Sequence, residues 1–180
     1  MAARTTMAKL ITLVRGLIND PAGAAQTFTD DQIQEELDFY RLYKNDTLTP
    51  LKNQADAVIG WQSAYRHWED GAALVDDTLT TLSPATSDPL QGFWTFAVNP
   101  TSVYVSGWVY DVYASAAELL TLWAGRLVND ITKFSADGSS YEFGSVKGQK
   151  LALAAQYMAR STTMGGPQSV EMVRNDLNII

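Results

Sequence analysis

The chain has 180 residues, 46% of them hydrophobic and 18% charged, enough for one ordinary globular domain, or a core with one inserted subdomain, that folds without a metal or a disulfide. It contains no cysteine, which excludes disulfide frameworks, thiolate zinc sites and cysteine nucleophiles together. A net charge of −7 argues against gripping a nucleic-acid backbone, because that affinity comes from clustered lysine and arginine. No apolar run approaches the ~20 residues of a membrane span. The apolar residues near the N-terminus are interrupted by Lys9 and Arg15, unlike a signal peptide, so a soluble intracellular protein is expected.

Residues 6–19 read as a helix, with Met7, Leu10, Ile11, Val14, Leu17 and Ile18 on one face and Asp20-Pro21 and Gly23 ending it. A second helix begins after Thr29. Gln32, three residues on, completes a capping box, and Phe28 and Ile33 are placed to form a hydrophobic staple. Asp30 and Asp31 fall in the first turn, where the helix dipole favours carboxylates. Ile33, Leu37 and Tyr40 carry the apolar face on to about Tyr43.

From Asn45 to Gly107 helical periodicity is lost. Short aromatic and β-branched runs (61–68, 72–75, 78–82, 93–97 and 103–105) alternate with breaks such as Asp70-Gly71, Asp76-Asp77, Ser83-Pro84 and Asn99-Pro100. Such spacing predicts a small antiparallel sheet or sandwich with a core of its own.

A third helix is expected over about 109–130, with a wide apolar face through Val112, Tyr113, Ala116, Leu119, Leu120 and Trp123. Small residues at Ala114, Ser115, Ala116, Ala117 and Ala124 would let another helix approach closely. Asp137-Gly138 predicts a turn, and a last helix is expected from about Ser145 to Ala159. Residues 161–180 carry no periodicity and end in an apolar stretch, which suits a partner-bound tail better than a solvated one.

Little in the chain points to chemistry. His67 is the single histidine, so a triad or a histidine-rich metal site has no material. Glu35-Glu36, Asp30-Asp31 and Asp76-Asp77 are sequence neighbours that serve as surface charge, capping and a turn. No glycine-rich phosphate loop is present. The aromatics Phe93, Trp94, Phe96, Tyr104 and Trp108 are either the core of the β segment or a stacking surface for a ligand.

The stretch Tyr110-Asp111-Val112-Tyr113 into the third helix, followed by Trp123 and by Phe134-Ser135-Ala136-Asp137-Gly138, resembles the head-to-tail connector (adaptor, or head completion) proteins of tailed bacteriophages. In them an apolar helix precedes such a turn and a last helix. Arg15 to Asp20 and Phe28 to Asp31 look like the family's opening helices. Trp68-Glu69, Ser83 to Asp88 and Gly92 to Phe96 look like the β segment inserted in some members. Glu142 to Gly148 is more glycine-rich than the family's pattern.

The resemblance implies an α+β protein: a mainly α-helical bundle (1–44 and 108–160) with an inserted small antiparallel β subdomain (45–107) and an extended C-terminal tail (161–180). It implies a structural virion neck protein without catalysis, cofactor or metal. It would form a ring, expected to be dodecameric, between the capsid portal and a downstream neck or tail protein, with DNA passing through the lumen and no specific nucleic-acid or membrane binding. Assembly would take place in the host cytoplasm. Met172, Val173, Arg174, Asp176, Leu177, Ile179 and Ile180 are the candidate portal-binding residues. Tyr113, Ala117, Leu120 and Trp123 are the candidate subunit interface. The rival expectation is a binding module that presents Trp94 and Trp108 to a carbohydrate or peptide.

Overall fold

The computed structural model describes residues 2–127, 133–136, 139–142 and 146–161. A short 3-10 turn over Thr5–Met7 leads into α1 (Ala8–Ile18), which buries Leu10, Ile11, Val14 and Ile18 on one face. It stops at Asn19, which takes a left-handed φ of 54° at the C-cap, a conformation asparagine tolerates better than most residues.

The next helix, α2 (Asp30–Phe39), starts from the capping box its sequence predicts. Thr29 Oγ1 accepts from Gln32 N at 3.2 Å, and Gln32 Oε1 accepts from Thr29 N at 2.9 Å. Phe28 and Ile33, either side of the cap, are both buried in one cluster.

Here the chain departs from the expected helix. Residues Arg41–Thr47 form β1, which pairs along its full length with β7 (Tyr104–Tyr110), from Arg41↔Tyr110 to Thr47↔Tyr104. The apolar spacing of Ile33, Leu37 and Tyr40 runs up to this point. The partner strand supplies a full ladder to Arg41–Thr47, and that outweighs a weak local helical preference.

Between these strands lie β2 (Thr49–Lys52), β3 (Val58–Gln62), β4 (Ala73–Val75), β5 (Thr86–Asp88) and β6 (Phe93–Thr95). They complete two antiparallel sheets, a three-stranded one in the order β1-β7-β4 and a four-stranded one in the order β2-β3-β6-β5. Residues 78–82 do not form a strand: a turn follows Asp76, and only an isolated bridge joins Thr81 to Val75.

The central helix α3 (Val112–Arg126) begins at Asp111, whose Oδ1 accepts from Ala114 N at 2.9 Å. It packs against α1, α2 and α4 (Val146–Met158). Between α3 and α4 the strands β8 (Lys133–Ala136) and β9 (Ser139–Glu142) pair as an antiparallel hairpin. The predicted turn residues Asp137 and Gly138 lie outside the described residues.

Two cores result. Met7, Leu10, Val14, Phe28, Ile33, Leu37 and the buried face of α3 make one. Leu48, Trp61, Trp68, Leu74, Trp94, Val103 and Val105 make the other. Strand β7 reaches both, with Val105 in the second and Tyr110 in the first.

A mainly helical bundle with a small inserted sheet therefore does not describe this chain. Among the described residues, four α-helices stand beside sheets of three and four strands. The strands of these two sheets run from Arg41 to Tyr110, taking residues from both flanking helices of the expected bundle, and β8 and β9 add a further pair between α3 and α4.

Candidate functional site

One buried cation organises the N-terminal half. Arg15 is on α1, yet its guanidinium reaches the loop before α2. Its Nη2 donates to Asp30 Oδ1 at 2.6 Å and to the Phe28 carbonyl at 2.9 Å, and Nη1 donates to the Asp20 carbonyl at 3.0 Å. Asp20 in turn accepts from Thr27 N at 2.7 Å and Phe28 N at 2.9 Å. This arrangement is a clamp on loop 19–29.

A second network joins the N-terminal segment, α2 and β7. Arg4 donates to Asp38 Oδ1 at 2.7 Å, Glu69 Oε1 at 3.2 Å and the Tyr110 hydroxyl at 3.0 Å. The Tyr110 hydroxyl donates to Glu69 Oε2 at 2.7 Å. Burial, then the bond to Glu69, hold the Tyr110 phenol well above its ordinary pKa. On that side of β1 a cavity of about 480 Å³ opens beside Arg41, Tyr43 and Trp108, with the Arg41 guanidinium 4.2 Å from the Trp108 ring centroid.

The other face of β1 borders a cavity of about 460 Å³. Leu42 and Lys44 come from β1, Tyr65, Arg66 and His67 from the loop after β3, Asp111 from the cap of α3, Tyr113 from α3 itself, and Arg160 from just beyond α4. The loop wall is held firmly. Asp46 Oδ2 accepts from Ser63 Oγ at 2.5 Å and from Ala64 N at 2.9 Å. His67 N donates to the Leu90 carbonyl, and the His67 carbonyl accepts from Tyr110 N, each at 3.0 Å. Gly92 sits behind this loop at φ 67°, and a Cβ there would run into the Tyr65 carbonyl oxygen.

His67 itself has φ 60°, a strained value for a side chain with a Cβ. Burial lowers its pKa; Asp111 opposes that shift and Arg66 adds to it. Its ring meets Tyr113 edge-on at 6.2 Å between centroids.

The cations of this cavity, like Arg126 and Lys150 over the Phe28 and Trp123 rings, stand apart from the ion-paired ones. Arg4, Lys9, Arg15, Arg41 and Lys52 are all in ion pairs. Among the described residues, Lys44, Arg66 and Arg160 are in none; Lys44 instead lies 5.2 Å from the Tyr65 ring centroid. The arrangement suits an anionic group carried by an apolar or aromatic ligand.

The candidate portal-binding residues Met172, Val173, Arg174, Asp176, Leu177, Ile179 and Ile180 lie outside the described residues. Of the candidate interface residues, Ala117 and Leu120 are 1% exposed and packed inside the subunit. Tyr113 is half-buried against Tyr157 of α4, and Trp123 against Phe28 and Lys150. The small-residue face of α3 is thus occupied by this chain's own helices. Trp94 is 2% exposed in the β core, and Trp108 packs against Arg41 and Tyr43 at the edge of the larger cavity.

Lys44, Arg66 and Arg160 were not legible as a group in the sequence. They are far apart along the chain and carry no spacing that signals a site. Among the described residues no cluster of three or more histidine, aspartate or glutamate side chains is placed to hold a metal ion. No described helix is long and apolar enough to cross a membrane. Comparison of the chain with protein-family models, with curated proteins and with solved structures found no match.

Proposed function

We propose that this chain is a structural neck protein of a tailed bacteriophage, one subunit of a ring that joins the capsid portal to the tail and continues the DNA channel. The observation that carries the reading is the order α3, hairpin β8–β9, α4, with α3 at the centre of the helical core. This is the part of the chain whose sequence most resembles the connectors.

The charge supports it. A net −7 gives a channel wall that repels phosphate and lets DNA slide. Arg4, Lys9, Arg41 and Lys52 are already engaged by carboxylates of the same chain. In this role the protein performs no catalysis, and the apolar residues of the segment 172–180 dock the portal by adding backbone hydrogen bonds and side-chain pockets.

The test is site-specific photo-crosslinking from Leu177 in assembled virions, with the product identified by mass spectrometry. A crosslink to the portal is expected. A crosslink only to tail-side proteins moves the subunit down the neck. Absence of the chain from purified particles refutes the structural role.

A further inference from the structure

A ring of identical subunits needs two different surfaces on each copy that fit one another. The cavity beside β1 is one concave, cationic candidate. Its complement should be convex, anionic and apolar at the tip, and should lie at a distance from the cavity so that contacts propagate head to tail.

The turn after β4 has these properties. Asp76 Oδ1 accepts from Thr78 N at 2.9 Å, Thr78 Oγ1 at 2.7 Å and Thr80 N at 2.9 Å. Asp76 N donates to the Thr80 carbonyl at 3.0 Å, and Leu79 N donates to the Asp76 carbonyl at 3.1 Å. The Val75↔Thr81 bridge closes the base. These bonds hold Leu79 at φ 62°, a left-handed conformation unfavourable for leucine, with its side chain 80% exposed. The adjacent Asp77 is also exposed and is in no ion pair among the described residues. A rigid turn that spends conformational strain to hold an apolar side chain in water is poorly explained by the stability of the single subunit.

The sheet separates the two features. β4 pairs with the Tyr104–Ser106 end of β7, so the 76–80 turn projects beyond that end. The cavity lies at the Val109–Asp111 end. Seven residues of strand put roughly 20 Å between them, on opposite ends of one sheet.

We propose that the 76–80 turn of one copy docks into the β1 cavity of the next. Leu79 sits against Leu42, Tyr65 and Tyr113. The Asp77 carboxylate is received by Lys44, Arg66 and Arg160, and the contact repeats head to tail. This rests on the ring reading above and supplies it with a subunit interface different from the α3 face. Burial of Leu79 and pairing of opposite charges that are in no ion pair within the subunit stabilise the contact, and Asp77 faced with a charge-reversed partner would weaken it strongly.

The test uses the full chain with p-benzoylphenylalanine in place of Leu79, irradiated at high protein concentration. Each copy then carries one crosslinker and one acceptor cavity. The expected result is a ladder extending past the dimer, with crosslinked peptides from 40–44, 64–67 or 109–113. Arg66→Glu should reduce the yield about tenfold or more, and Asp77→Lys added to it should restore the ladder. Leu79→Gly in the otherwise unaltered chain, which removes the strained Cβ, should keep the fold and abolish association in sedimentation.

No crosslink, a dimer only, crosslinks that map elsewhere, or failure of Asp77→Lys to restore the Arg66→Glu ladder each overturn the contact. If the unaltered chain nevertheless sediments as a closed oligomer, the ring reading stands and only this interface falls. Absence of the chain from virions removes the ring reading whatever the ladder shows.

Discussion

Replacing Arg15 with methionine keeps the length and apolar stem of the side chain and removes its charge. The Arg15 side chain is 7% exposed and that of Asp20 2%, so the substitution leaves a buried carboxylate without its cation. Breaking a buried pair from one side costs about 3–5 kcal/mol. Two features of the site favour the lower end. Asp20 retains the Thr27 and Phe28 N–H donors, and Asp30, whose side chain is 55% exposed, can turn to water. Against that, the carbonyls of Asp20 and Phe28 lose a charged donor in a buried setting. The net expectation is a loss of about 3 kcal/mol, which for a chain of this size lowers the thermal midpoint by about 6–12 °C.

Urea titration followed by far-UV circular dichroism measures the loss. Near-UV circular dichroism reports on Trp123, which packs edge-on against Phe28 of the clamped loop. Asp20→Asn alone should cost less, since Arg15 keeps Asp30. The double variant should be less destabilised than the sum of the two by about 1 kcal/mol or more. A loss under about 1 kcal/mol, or strict additivity, would refute the claim that Arg15 clamps the loop.

Three further outcomes are expected. Thr29→Ala removes the cap of α2 and should cost about 1 kcal/mol by denaturant midpoint, with Gln32→Ala costing less. Gly92→Ala combines a φ of 67° with a Cβ driven into the Tyr65 carbonyl, so it should destabilise by more than the roughly 1–2 kcal/mol of the left-handed conformation alone, and should shift the fluorescence of Trp68, whose Nε1 donates to Tyr65 O at 3.1 Å. The folded pKa of His67 lies below its ordinary 6.5, so its contribution is complete above that pH and is lost as pH falls through the lower folded value. His67→Asn, which tolerates the same backbone, should remove that step from a plot of stability against pH. The Tyr110 phenol is shifted the opposite way, so stability should fall as pH rises above about 10, and Tyr110→Phe should flatten that limb.

The reach of the sequence is clearest where signals are local. Thr29 and Gln32 sit three residues apart, so the capping box is a property of four consecutive residues, and it forms as expected. The face of α1 follows from helical spacing in the same way, whereas α3, expected from about 109, starts only at Val112 because Val109 and Tyr110 belong to β7. The end of α2 does not follow from local spacing either. Leu42 and Tyr43 extend an apolar spacing that suits a helix, yet Arg41–Thr47 are a strand because Tyr104–Tyr110, some 60 positions away in sequence, offer a seven-residue ladder. The α3 face through Ala117 and Leu120 reads equally well as a meeting point for another subunit or for this chain's own helices, and only the packing of α1, α2 and α4 decides between them. The cationic cavity is the extreme case. Lys44, Arg66 and Arg160 meet through β1, a loop and the end of α4, and no spacing rule links residues whose proximity is created by the tertiary fold.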